Sequence, residues 1–230
     1  RNDRTNTTKS KIRMNYPVTI LDNFFPDPDK IVELAYEAEY HKTTDGRWPG
    51  KRTKNINTFN SPLFNWISRR LFQWHFERIP DYWELDMTFQ IIKPFHEDQY
   101  NLKNQGWVHN DCGCLYGGLI YLNKHPQKDT GTSIYTTKRG YFFQEAMDTD
   151  VKEALYMGQT IPDDVYDKAY LNVNGQYEES VRINNVYNRM ILFDGNTQHA
   201  AQSFGKNSDR LTLNFFLKNI TGPQQPFIRE

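Results

Sequence analysis

The sequence predicts an α+β protein in which N-terminal helices support one face of a β sandwich or barrel. Two observations carry that prediction. Apolar residues at helical spacing, opened by proline-containing caps, concentrate before residue 75, whereas alternating apolar and polar residues mark strands from residue 85 onward. The 230-residue length suits one large domain, which can bury about 70% of its unfolded surface without a disulfide or a metal to hold it.

The elements follow in order. Residues 1–15 are polar and basic without periodicity and read as a flexible arm, and residues 16–230 as a single domain. Val18-Thr-Ile-Leu21 reads as a strand. Asp27-Pro28 opens a first helix, with Asp27 expected to cap and Pro28 at the first helical position; Ile31, Leu34, Ala35 and Ala38 form its stripe. Trp48–Thr53 reads as loop, and Ser61-Pro62 opens a second amphipathic helix through Leu63, Phe64, Trp66, Ile67, Leu71 and Trp74. Strands are expected around Met87–Ile91, Leu115–Leu122, Arg189–Phe193 and Leu211–Leu217, with weaker ones at Thr132–Thr136 and Ser180–Ile183. Between them, about 140–180 is acidic, helix-prone at Val151–Met157 and after Pro162, and reads as an insertion, a mobile lid bordering the site.

Composition excludes several classes of function. The 28 basic and 28 acidic residues cancel, which argues against a nucleic-acid or acidic-membrane binder. Aromatic residues reach 15% despite a mean hydropathy of −0.81, too many for a disordered chain. No apolar run approaches the ~20 residues that span a bilayer, and two cysteines one residue apart make no disulfide scaffold, so a soluble cytoplasmic protein is expected.

Of six histidines, His109 and His199 stand out. His109-Asn-Asp111 is an H-x-D pair, and in extended chain residues i and i+2 share a side, so imidazole and carboxylate converge. His199 follows an apolar strand. Two histidines and a carboxylate form the facial triad of non-haem Fe(II) oxygenases. In Arg210–Leu217 the polar Arg210, Thr212 and Asn214 alternate with apolar residues, so one strand face could clamp a carboxylate; an edge strand facing water is the alternative. Trp107 would share the His109 face, as pocket wall or as core. His96-Glu-Asp98 reads as a solvated turn, and Cys112 and Cys114 as small buried thiols packed near the site rather than a second metal set.

Trp107–Asp111, Gly118–Lys124, Gly131–Tyr135 and Asn188–Leu217 together resemble the Fe(II)/2-oxoglutarate-dependent oxygenases, in their prolyl-4-hydroxylase-like branch. Leu21–Pro28 and Trp48–Gly50 are similar to openings of uncharacterised bacterial and phage-type members, and the resemblance spans roughly residues 17–220. It implies a double-stranded β-helix, a jelly-roll or cupin-like barrel, with iron on His109, Asp111 and His199. It also implies 2-oxoglutarate held by Arg210 with Tyr121 and Thr212, O₂ as oxidant, and hydroxylation of a peptidyl or small-molecule substrate with release of succinate and CO₂. Relatives carry a tyrosine in the strand before H-x-D; here Gln90, Lys93 or Tyr100 would replace it. A jelly-roll binding domain without turnover and a cupin-like metal enzyme that does not use 2-oxoglutarate are the competing functions.

Overall fold

The computed structural model describes residues 18–75, 78–138 and 149–221. The strands are β1 (Thr19–Leu21), β2 (Tyr40–Lys42), β3 (Lys51–Thr53), β4 (Tyr82–Ile92), β5 (Tyr116–Tyr121), β6 (Thr132–Thr137), β7 (Tyr177–Ile183), β8 (Met190–Asp194), β9 (His199–Ala201) and β10 (Arg210–Thr221). The helices are α1 (Pro28–Glu37), α2 (Ser61–His75), α3 (Thr149–Tyr156) and α4 (Asp163–Asn174). Among these residues the strands form two antiparallel sheets, a large one in the order β1-β8-β5-β10-β4-β3-β2 and a small one in the order β7-β6-β9. No helix among them is long and apolar enough to cross a membrane. The proposed arm at 1–15 and part of the 140–180 insertion lie outside the described residues.

The alternation in β10 settles what the large sheet does. Leu211, Leu213, Phe215 and Leu217 enter one cluster with Phe64, Ile67, Leu71 and Phe72 of α2, so this face is covered by helix as expected. Arg210, Thr212, Asn214 and Phe216 take the other face. Register carries the same division outward: Thr212 pairs with Tyr121 and Gln90, and Phe216 with Gly117 and Asp86. The two sheets meet through Tyr121, Leu119, Ile191 and Phe193 of the large sheet and Ile134 and Ile183 of the small one. The polar row of β10 therefore lies in the interior between sheets, not on an edge facing water: Arg210 is 5% exposed and Thr212 fully buried.

Several local expectations need correction. Asp27 precedes α1 but makes no capping bond, because its carboxylate pairs with Lys30 at 2.7 Å. For α2 the cap is Asn60, whose Oδ1 accepts from Leu63 N at 3.1 Å, while Ser61 donates to Asn57 O. Lys51–Thr53, read as loop, is strand β3, with Lys51 opposite Ile91 and Arg52 opposite Gln90. The described part of the insertion is packed: α4 buries Tyr166, Ala169, Tyr170 and Val173. Asn174 at its end accepts from Val108 N and donates to Gly106 O, tying α4 to the segment that leads into His109.

Candidate metal centre and carboxylate pocket

His109 and His199 are brought together by backbone. Each amide donates to the other's carbonyl, at 3.1 and 2.8 Å, so the two residues face each other as an antiparallel bridge with ring centroids 4.4 Å apart. Asp111 follows two residues on and is anchored through its amide to Gly195 O at 2.8 Å. Its Oδ1 and Oδ2 lie 3.8 and 3.7 Å from Nε2 of His109 and His199. One ligand atom from each of the three lies within 4.8 Å of the others.

The rings are held in one orientation. Nδ1 of His109 lies 2.8 Å from Trp107 O, and Nδ1 of His199 2.9 Å from Thr197 O. A carbonyl only accepts, so each Nδ1 carries a proton, and it is Nε2 of each ring that faces Asp111. The His109 pKa is held below the ordinary imidazole value, first by desolvation and next by the facing His199, with Asp111 opposing; its side chain is 55% exposed, so solvent tempers the effect. Neutral imidazoles are the form a metal needs. Asp111 Oδ2 is buried with no hydrogen-bond partner, although leaving a buried polar atom unsatisfied costs roughly 1–3 kcal/mol. A metal ion there would satisfy it, and the three donors fit one.

Two glycines make room for this carboxylate. A Cβ on Gly195 would sit 2.1 Å from Cys114 O, so only glycine lets the two turns touch. A Cβ on Gly117 would sit 2.3 Å from Asp111 Oδ2 itself. Glycine inside a central strand is a sign of close approach, and the Gly117-Gly118 pair carried that signal unread.

Further along the interior lies a second polar group. Arg210 Nε donates to Thr130 O at 3.1 Å, its Cζ lies 5.6 Å from the Tyr121 ring centre, and its Nη2 is buried without a partner. Tyr121 Oη donates to Thr132 Oγ1 at 2.8 Å, and Thr212 Oγ1 is likewise buried and unpartnered. A cationic fork and a hydroxyl, both with idle donors in a closed space, are suited to a carboxylate ligand. Of the candidates to replace the tyrosine before H-x-D, Gln90 points inward: its Nε2 donates to Pro49 O at 2.7 Å and its Oε1 accepts from Asn214. Tyr100 is exposed and donates to Asp129, while Lys93 lines a cavity of about 530 Å³ with Lys42, Lys51 and Tyr156.

Other expected residues separate from the site. Trp107 is core: its Nε1 donates to Tyr166 Oη at 2.7 Å, and it meets Tyr166 and Tyr170 edge-on. His96 accepts from Asp98 N within its own turn. Cys112 is exposed and Cys114 half-buried, not the buried thiols expected, because the tight turn from Asp111 O to Cys114 N puts Cys112 at its tip. Phe193, 4.3 Å from the His199 ring, and Arg52, lying over Trp48 and Phe216, belong to the surroundings of the cluster and were not foreseen; Arg52 was hidden in a segment read as loop.

The fold is similar to that of several solved structures. HygX from Streptomyces hygroscopicus, with nickel and 2-oxoglutarate bound, is 11% identical over 87% of this chain and 82% of its own, with a TM-score of 0.52. The epimerase SnoN, in complex with Fe³⁺ and alpha ketoglutarate, is 8% identical over 91% and 80%, with a TM-score of 0.51. The alpha ketoglutarate dependent carbocyclase SnoK from nogalamycin biosynthesis is 12% identical over 91% and 81%, with a TM-score of 0.50. At these identities the likeness is one of fold. Among curated proteins, none matches the sequence. Residues 3–217 match the model of the family of unknown function DUF6445, and the chain belongs to that family.

Proposed function

We propose that this chain is an Fe(II)- and 2-oxoglutarate-dependent dioxygenase on a jelly-roll scaffold, hydroxylating a small molecule or a protein side chain and releasing succinate and CO₂. The observation that carries the reading is the pairing, in one interior, of a His109–Asp111–His199 cluster within 4.8 Å and a buried Arg210 fork with an idle N–H. A binding domain needs neither, and a metal enzyme without 2-oxoglutarate needs no carboxylate clamp. The fold shared with two proteins solved with a metal and 2-oxoglutarate bound, and with an alpha ketoglutarate dependent carbocyclase, supports it.

His109, Asp111 and His199 would hold the iron, which supplies the oxidising chemistry with 2-oxoglutarate and O₂. The chain's own work is positional. Carbonyls of Trp107 and Thr197 fix the imidazole tautomers, the Gly117 gap seats the carboxylate, and Arg210 with Thr212 would take the far carboxylate of the cosubstrate. Tyr121 fills the wall beside Arg210, and Phe193 shields one face of His199 from water.

The test is anaerobic addition of Fe(II) and then 2-oxoglutarate. A visible charge-transfer absorption that needs both is expected. Metal binding without that band sinks the oxygenase reading in favour of a metal site that does not use 2-oxoglutarate.

A further inference from the structure

We infer that Arg52 is the substrate anchor, docking a carboxylate group of the substrate beside the metal cluster; this rests on the oxygenase reading above and names its substrate class. Arg52 lies opposite Gln90, which places it with the interior-facing row. Its Cζ lies 4.7 Å from the Trp48 ring centre and 5.5 Å from that of Phe216. Phe216 is paired with Gly117, the residue whose missing Cβ leaves room for Asp111. The guanidinium thus stands at the metal end of the interior. Although the Arg52 backbone is level with Thr212 through Gln90, its guanidinium reaches the Phe216 ring, whereas the Arg210 guanidinium lies over Tyr121 and holds Thr130 O, so the two face different partners.

The Arg52 side chain makes no hydrogen bond or ion pair among the described residues, and its Nε is buried. Burial lowers its pKa to about 10 against the pull of Asp86 and Asp111, so it is a cation at neutral pH. Aromatic rings attract a guanidinium through its face and leave its N–H groups, which point in its plane, to bond elsewhere. A planar carboxylate matches that fork bidentately; a phosphate can do so too, but it carries nearly twice the charge and costs more to bury. Between the sheets Arg210 holds Thr130 O through its Nε, and Arg189 is tied to Asp22 at 2.6 and 2.9 Å; Arg70 of α2 also has a buried Nε without a partner, but it packs over Phe24 and Trp66.

The experiment uses full-length protein loaded with Zn(II) as a redox-inert metal and saturated with 2-oxoglutarate. Phenylacetate, N-acetylalanine and N-acetylproline are titrated beside their neutral amides and beside phenyl phosphate, with dissociation constants read by saturation-transfer NMR. The expected result is at least tenfold tighter binding of carboxylates than of amides. Arg52→Gln should erase that preference, and Arg52→Lys should keep part of it. The inference is overturned if wild-type protein shows no such preference, if phenyl phosphate outbinds the carboxylates, or if the preference survives Arg52→Gln. Circular dichroism checks each variant; should the glutamine variant not fold, an undiminished preference in Arg52→Lys overturns it. An Arg52-dependent preference in protein that does not bind 2-oxoglutarate sinks the oxygenase reading alone.

Discussion

Replacing Gly117 with alanine should separate metal binding from folding. The new Cβ would lie 2.3 Å from Asp111 Oδ2 and 3.3 Å from Phe193 Cε2, whereas ordinary contact begins at 3.4 Å. The carboxylate oxygen must therefore retreat by about 1.1 Å (3.4 minus 2.3), and because it is the tip of a side chain it can do so by rotation, without moving strand β5. Glycine weakens a strand interior, so alanine returns roughly 0.5–1 kcal/mol of backbone entropy and the melting temperature should stay level or rise. A metal ligand displaced by an ångström should behave like one deprived of its supporting contacts, where losses run about 10–100-fold in affinity. The assay is calorimetric titration of Mn(II) or Co(II) into wild-type and Gly117→Ala protein, beside thermal melts. Wild-type affinity in the alanine variant would show that Asp111 does not bind metal in the position described.

Four further outcomes are expected. Alanine at His109, Asp111 or His199 should abolish stoichiometric metal binding while the far-ultraviolet circular dichroism is kept; retention of wild-type affinity in all three would misassign the cluster. Arg210→Ala should raise the 2-oxoglutarate dissociation constant roughly tenfold to a few hundredfold, from the ~1.5–3 kcal/mol of a charge-assisted contact, with Arg210→Lys between and metal affinity unmoved; an unchanged constant would point to a different clamp, though Arg189 is already held by Asp22. Leu213→Ala, at a fully buried position in the α2-facing core, should cost about 2–5 kcal/mol by denaturant unfolding, and a loss under 1 kcal/mol would contradict the packing. In metal-free protein the depressed His109 pKa means that the unfolded chain binds more protons below about pH 6.5, so stability should fall as pH drops through that value, and His109→Gln should flatten the slope; an unchanged slope would locate the titration elsewhere.

Some of this was legible in the chain and some was not, for physical reasons. A period of two is a strong signal, so β10 disclosed both its core face and its polar interior face, and H-x-D disclosed a shared side. Proline marked where α1 and α2 begin, but not which side chain caps them: Lys30 draws Asp27 away, and Asn60 reaches the free N–H groups ahead of Ser61. Four strands have three residues; β1 showed itself by its apolar run, but β2, β3 and β9 are too short to show a period, and Lys51-Arg52-Thr53 has no apolar residue to reveal its sheet. The seat for Asp111 depends on Gly117 and Gly195, contacts made only when separate turns meet. Acidic composition spoke for a loose insertion, yet four of the twelve residues of α4 are buried, and two of those four are tyrosines spaced along its inner side.

The twelve residues of β10 have an evolutionary corollary. Because core positions and the proposed ligand positions interleave on one strand, an insertion or deletion there would exchange the two sets. On the proposed function, a descendant that abandons 2-oxoglutarate would do so on this strand by point replacement at the even positions, Arg210 and Thr212 above all, while its odd positions stay apolar. Retired members of the family should therefore be readable from this strand alone, as an unbroken apolar rhythm from which the arginine has gone.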